Sequence, residues 1–274
     1  IKASEHGIDP KMVSFAAVRT CSILQQRGYK AYVVGGAVRD LLLGVKPKDF
    51  DVATDATPEQ VKRAQRRAFI IGRRFRLVHV VFGNEIVECS TFRALDASGV
   101  RKDASGRVIS DNIFGEMWED AARRDFTINA LYYDPSTGDI YDYHGGYEDI
   151  RRKTLRMIGY PQARYREDPV RMMRAVRFAS QLGFTIEEET FDAIRRNAPR
   201  IGIVSRERIA AELNKIVLSP VPSMGFELLE LTGLLERIFP EMHNLKGVEK
   251  RGRHAHKDNF IHTLKVVDNV ARRS

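Results

Sequence analysis

Two adjacent glycines, Gly35 and Gly36, are followed by Arg39 and Asp40, and further along by Asp49 and Asp51 with one residue between them. A glycine pair at the end of a buried strand lets the backbone come close to a phosphate. A helix starting there adds N–H donors and the positive end of a dipole. Aspartates at alternate positions of a strand project from the same face. Two like charges so placed repel unless a cation lies between them, and hard carboxylate oxygens suit Mg²⁺, whose octahedron nucleotide phosphates would complete. Two metals held this way could activate an attacking hydroxyl and steady a departing pyrophosphate. The other reading of Asp49 and Asp51 is a solvated turn at a strand edge.

The surrounding pattern supplies elements to position these groups. Residues from Asp9 to Gly28 read as an opening helix, with Asp9 as its cap and Pro10 in its first turn. Ala31–Val34 reads as a short strand, Ala37–Leu43 as a helix stopped by Gly44, and Phe50–Ala53 as the next strand. A basic helix over Glu59–Ala68 precedes three β-rich runs at Phe69–Ile71, Arg76–Phe82 and Ile86–Phe92. Ala94–Asp111 is polar and reads as a loop. Asp120–Leu131 reads as helix, and Tyr132–Tyr133 with Ile140–Tyr143 as a hairpin. After Asp149 the periodicity turns helical, over Pro169–Leu182, Glu188–Asn197, Ser205–Leu218 and Met224–Ile238. The expectation is an α+β head followed by an all-helical portion, with the boundary near residues 150–160.

The chain has 274 residues, 43% of them hydrophobic, which is enough for one large domain or two to three small ones. Its formal net charge of +9 favours a polyanionic partner. Cys21 and Cys89 form no CxxC pair, so no zinc framework is expected, and both read as core thiols of a reducing compartment. No run of apolar residues is long enough to span a membrane, and the polar start does not read as a signal peptide; the expected setting is cytoplasmic.

Gly35–Gly44 together with Lys46–Val52 resembles the head of class II nucleotidyltransferases, the family of bacterial poly(A) polymerases and tRNA CCA-adding enzymes within the DNA polymerase β superfamily. The resemblance continues through Arg123–Ala130, Gly145–Asp149 and Arg166–Arg171, and covers about residues 5 to 262. It implies a polymerase β-like head of mixed sheet and helices over residues 1–155, a helical neck that recognises the base over 156–225, and the start of a helical body over 226–274. It also implies roles. Asp49 and Asp51 would be the metal-binding pair and Glu88 a third catalytic carboxylate. Gly35, Gly36 and Arg39 would meet the triphosphate, and Arg124, Asp125 and Asn129 would handle phosphate and ribose. Asp168 and Arg171, three apart on a neck helix, would read the Watson–Crick edge of the incoming base, since one accepts and the other donates hydrogen bonds. Arg174 and Arg177 extend that stretch toward phosphates or RNA. The other reading of Asp168 and Arg171 is an ion pair on a helix surface.

What the resemblance implies as chemistry is transfer of AMP from ATP to the 3′ end of an RNA with Mg²⁺. Two parts of the chain point to different members of the family. Ile70–Val80, with Arg73, Arg74 and Phe75, is similar to the poly(A) polymerases, as are His6–Asp9, Arg107–Gly115 and Arg164–Asp168. Leu182–Ile186, Val204–Ile209, Leu213–Lys215 and Gly233–Glu236 resemble CCA-adding enzymes, which complete tRNA with CTP and ATP. His256–Leu264 resembles the entry to an HD-type phosphohydrolase domain, in which His262 would ligate metal. The His-Asp pair that should follow is absent, so His254, His256 and His262 read as a polar helix start. Two further expectations stay open: an RNA-binding module with a crippled polymerase, and any oligomeric state.

Overall fold

The computed structural model describes residues 1–73, 75–95, 114–247 and 258–274, and the backbone of four short strands between them. Arg74, His256 and most of the Ala94–Asp111 stretch lie outside the described residues. The chain divides into two compact units, Ile1–Arg151 and Arg152–Ser274.

The first unit runs α1 (Ala3–His6), α2 (Phe15–Gln26), β1 (Ala31–Val34), α3 (Gly36–Leu42), β2 (Asp51–Thr54), α4 (Pro58–Ala64), β3 (Ala68–Ile71), β4 (Leu77–Phe82) and β5 (Glu85–Thr91). It continues with β6 (Arg101–Lys102), β7 (Val108–Ser110), α5 (Met117–Arg123), β8 (Leu131–Tyr133), β9 (Ile140–Asp142) and α6 (Gly146–Arg151). Seven strands form one mixed sheet in the order β3-β4-β5-β2-β1-β8-β9, in which only β2 and β5 run parallel to each other. β1 is buried along its whole length, as expected of a central strand covered on both faces. On one face Val33, Val52, Val78 and Cys89 are fully buried, and α2 lays Ala17, Cys21 and Leu24 against the sheet. The other face carries a core of Tyr32, Val34, Ala53, Phe92, Met117, Ala121 and Tyr132.

The opening segment differs from the single helix expected. Asp9 caps a separate 3-10 turn over Pro10–Met12, Val13 is extended and buried, and α2 starts anew with the Ser14 hydroxyl accepting from Ala17 N. The helix expected over Asp120–Leu131 ends at Arg123. Arg124 is extended, the Asp125 carboxylate takes the Phe126 N–H, and Thr127–Asn129 form a 3-10 turn. A short polar side chain next to the backbone competes with the helical bond in this way.

The second unit runs β10 (Thr154–Leu155), α7 (Pro161–Glu167), α8 (Val170–Leu182), β11 (Thr185–Ile186), α9 (Glu188–Asn197), α10 (Arg206–Val217) and α11 (Pro222–Thr232). It ends with α12 (Leu235–Ile238), α13 (Pro240–His243), β12 (Lys250–Arg251), β13 (His254–Ala255) and α14 (Asn259–Arg273). β10 and β11 pair in parallel and β12 and β13 antiparallel; the helices pack around Met172, Met173, Val176, Phe184, Ile194 and Leu229. The expected helix over Met224–Ile238 is broken at Gly233, whose φ of 80° ends α11 with a left-handed residue. His254 lies in a strand rather than a helix start, and His262 is exposed in the first part of α14, which Asp258 caps.

α6 secures the turn that carries Asn129. Asp149 is buried and accepts a 2.6 Å hydrogen bond from Thr127 Oγ1, and Gly146 passes directly under the Thr127 carbonyl. A Cβ at Gly146 would overlap that backbone oxygen. Gly146→Ala is therefore expected to lower stability by about 1–3 kcal/mol, seen as an earlier thermal melt by circular dichroism.

Candidate active site

Register gathers the expected catalytic groups at one end of the sheet. Asp51, the first residue of β2, lies opposite Val34 of β1 on one side and Glu88 of β5 on the other. Cross-strand partners project to the same face about 4.8 Å apart. Asp51 and Glu88 therefore stand side by side, and both reach solvent. Gly35 follows Val34 directly, so the glycine pair lies at the same end. Asp49 is not on β2, as the alternation argument assumed; it is exposed in the approach to the strand, two residues ahead of Asp51.

These groups share one electrostatic field. The Asp51 carboxyl is pushed up from its ordinary value to about 6, first by the protein around it stripping water away, then by the charge of Glu88 and, less, of Asp49, while Arg124 pulls it back down. Oxygen donors of this kind fit a hard divalent cation, whose charge would relieve the repulsion. Among the described residues, however, no group of three or more His, Cys, Asp or Glu side chains stands close enough to hold an ion. Asp51 and Glu88 match a divalent metal in donor type and stand in register, and Asp49 adds a third carboxylate in the approach to β2.

Opposite them lies a cationic wall. Gly35 adopts φ 77°, which favours glycine, and caps α3. The Arg39 guanidinium folds back over Gly36, where a Cβ would come within 3.2 Å of Nη2. It donates to Asp40 Oδ1 at 3.0 and 3.1 Å and to Asn129 Oδ1 at 2.7 Å. Asn129 in turn reaches Asp125 Oδ1 at 3.5 Å. Arg124 Nη1 is 3.9 Å from where a Gly35 Cβ would stand. Its Nη2 pairs with Asp120 at 3.1 Å, its Nε donates to the Tyr132 hydroxyl at 3.2 Å, and that hydroxyl donates to Asp120 at 2.6 Å. Gly35, Gly36, Arg39, Arg124, Asp125 and Asn129 are thus brought together, through a turn rather than along a shared helix.

The positions expected to read the base lie in the second unit. Asp168 and Arg171 are not on one helix; the Arg171 N–H donates to the Asp168 carbonyl at 3.1 Å, while their side chains take other partners. Pro169 forces the residue before it out of the helical region, and Asp168 sits extended at φ −145° between α7 and α8. Both its oxygens are held by Arg208 of α10, at 3.2 and 2.8 Å. Arg171 pairs with Glu167 at 3.1 Å and with the Arg164 carbonyl at 3.0 Å. Arg177 is buried against Glu212, and Arg174 lies 4.0 Å from the same carboxylate. Sequence reasoning did not single out Asp120, Tyr132 or Arg208. Asp120 lies four residues before Arg124, a spacing that signals a helical ion pair. Tyr132 meets Arg124 across the turn that follows α5, and Arg208 acts from forty residues beyond Asp168, so neither leaves a spacing signal.

Comparison with known proteins bears on the family of the chain. Residues 31–156 match the family described as Poly A polymerase head domain. Residues 183–246 match one described as probable RNA and SrmB-binding site of polymerase A. The chain is similar to poly(A) polymerase I of Escherichia coli O6:H1, 45% identical over 88% of this chain and 53% of the relative. It is also similar to the CCA-adding enzyme of Geobacillus kaustophilus, 43% identical over 77% of this chain and 51% of the relative. Among solved structures it is similar to the Bacillus stearothermophilus CCA-adding enzyme in complex with CTP, with a TM-score of 0.69 at 40% identity, covering 80% of this chain and 52% of that one. The chain spans about half the length of the curated relatives it matches.

The raised Asp51 carboxyl gives a pH prediction. Its folded value of about 6 lies above the ordinary 3.8, so its contribution to stability is complete below 3.8 and is lost as the pH rises to about 6. Glu88→Gln removes one like charge. The Asp51 carboxyl, followed by carbon-13 NMR without added metal, should then titrate at lower pH than in the parent; an unchanged midpoint would mean that Glu88 does not face it.

Proposed function

The chain belongs to the class II nucleotidyltransferase family of bacterial poly(A) polymerases and CCA-adding enzymes, and on that premise we propose that it adds AMP from ATP to the 3′ ends of RNA without a template. The observation that carries this reading is the register that sets Asp51 beside Glu88 next to the Gly35-Gly36 turn. A divalent cation, Mg²⁺ in this reading, would be held by Asp49, Asp51 and Glu88 and would supply neutralisation of charge at the reacting phosphate.

The chain's own groups do the rest. The Gly35-Gly36 turn leaves room for a phosphate to approach the N-terminus of α3. Arg39 and Arg124 lie where a triphosphate at that turn would leave its negative charge, so pyrophosphate departs against two guanidiniums. Asn129 and Asp125 orient Arg39 and offer polar atoms to a ribose. The RNA 3′-hydroxyl attacks the α-phosphate in line, and positioning supplies much of the rate. Asp168 and Arg171 read the base, which makes protein the template. The bidentate Arg208 contact means that the base must share the Asp168 carboxylate or displace that arginine.

The second reading is CCA or A addition to tRNA, favoured by the 43% identity to a CCA-adding enzyme over 77% of this chain and by the CTP-bound structural neighbour. Poly(A) addition is preferred because the likeness to poly(A) polymerase I extends over more of this chain. With Mg²⁺, a generic labelled RNA and ATP alone, long tails are expected. Addition that requires a tRNA lacking its CCA end and stops after three nucleotides would transfer the assignment to the second reading. ATP binding without extension of either RNA would leave only a binding module.

Two variants test the residues. Asp51→Ala should lower extension at least a hundredfold, on the order of losing one electrostatic stabiliser or more, with the thermal melt retained. Asp168→Ala should relax the choice of ATP over CTP, GTP and UTP more than it slows ATP addition. Unchanged nucleotide choice would make Asp168 only the anchor of Arg208.

A further inference from the structure

The face that bears Asp51 and Glu88 continues outward across β5, β4 and β3. Phe69, His79, Glu88 and Asp51 form one cross-strand row, each the register partner of the next. Arg67, Phe69 and Ile71 alternate along β3 and its approach, and Ile86 shares the face two positions from Glu88. Here the sheet departs from ordinary burial. Phe69 is 53% exposed, Ile71 42% and Ile86 54%, whereas the opposite face of the same strands buries Val78, Val80 and Val87. Arg67 is exposed beside them and His79 is half-buried. From Lys62 to Arg76 the chain carries one lysine and six arginines and no acidic residue. An apolar, aromatic face beside a run of cations, leading to a pair of carboxylates, has the chemistry of a single-stranded nucleic-acid platform: bases stack on rings while cations track the phosphates. A protein partner would gain less from so one-sided a charge.

We propose that the open face of β3, β4 and β5 is the platform on which the 3′-terminal nucleotides of the RNA lie, with a base stacked on Phe69 and phosphates met by Arg67. This rests on the nucleotidyltransferase reading for its direction, since the strand must end at Asp51 and Glu88. The scale agrees. Three strand spacings place Phe69 about 14 Å from Asp51. That is the length of roughly four stacked nucleotides at ~3.4 Å each. Ile71 and Ile86 widen the apolar floor beside Phe69, and His79 continues the row with a second flat ring.

The test is binding of a fluorescein-labelled oligoadenylate, followed by anisotropy without ATP, so that it does not depend on catalysis. Phe69→Ala and Phe69→Leu should each weaken binding about 5- to 100-fold, the usual range for one lost base–aromatic stack. Phe69→Trp should keep parental affinity. Arg67→Ala should weaken binding and reduce the salt slope by about 1. ATP affinity and thermal melts should be unchanged in all four, because both side chains are exposed. Equal affinity in the parent and Phe69→Leu would overturn the platform, as would equal binding of duplex and single-stranded RNA. If Phe69 governs binding but the parent extends no RNA, the nucleotidyltransferase reading fails alone. If the parent extends RNA and Phe69 is silent, the platform fails alone.

Discussion

Two carboxylates in register on neighbouring parallel strands are an arrangement that a sheet does not adopt for its own stability. Asp51 and Glu88 are cross-strand partners on the same face, and the loss of water around Asp51, followed by the repulsion between the two, raises that carboxyl to about 6. Like charges directly opposite each other destabilise a sheet. The cost is tolerated because the other face of these strands is among the best packed in the molecule, with Val33, Val52, Val78 and Cys89 buried against α2. The apolar underside holds the register, and the register fixes where the charges stand. A slip by one residue would turn Asp51 into the core and Val52 out to solvent.

The cationic side of the site depends on a different device. Arg124 leaves α5 in an extended conformation, and Asp120 and Tyr132 hold its guanidinium there. The two accept from it while Tyr132 also donates to Asp120, closing a three-membered polar network in the core. Arg39 is fixed by Asp40 and Asn129, and Asn129 depends on the Thr127–Asp149 bond beneath its turn. Both guanidiniums are thus tied by a nearby carboxylate and by a second side chain further along the chain. In the second unit Arg208 plays the matching part for Asp168.

Much of this was legible in the sequence, and the misses share a cause. The β1-turn-α3 unit, the strand after it, and three of the four long helices expected in the second unit follow from local periodicity, glycine positions and caps, and the structure has them within a residue or two. The errors fall where a single local residue overrides periodicity. Ser14 restarts a helix that looked continuous, Asp125 ends one early, Pro169 pulls Asp168 out of another, and Gly233 divides a fourth. Partners without a periodic spacing were out of reach: Arg208 stands forty residues from Asp168, and the eight residues from Arg124 to Tyr132 span an irregular turn. The placement of Glu88 beside Asp51 was within reach only as strand alternation; the parallel pairing that puts them side by side is a property of the sheet.

The account turns on whether the end of β2 and β5 gathers a divalent cation. Titration with Mn²⁺, followed by paramagnetic broadening of backbone amides, addresses that without nucleotide or RNA. Broadening centred on Asp49–Asp51 and Glu88 that vanishes in Asp51→Asn, with the rest of the spectrum retained, is the predicted result. Broadening centred elsewhere, or broadening at this site that survives Asp51→Asn unchanged, would contradict it.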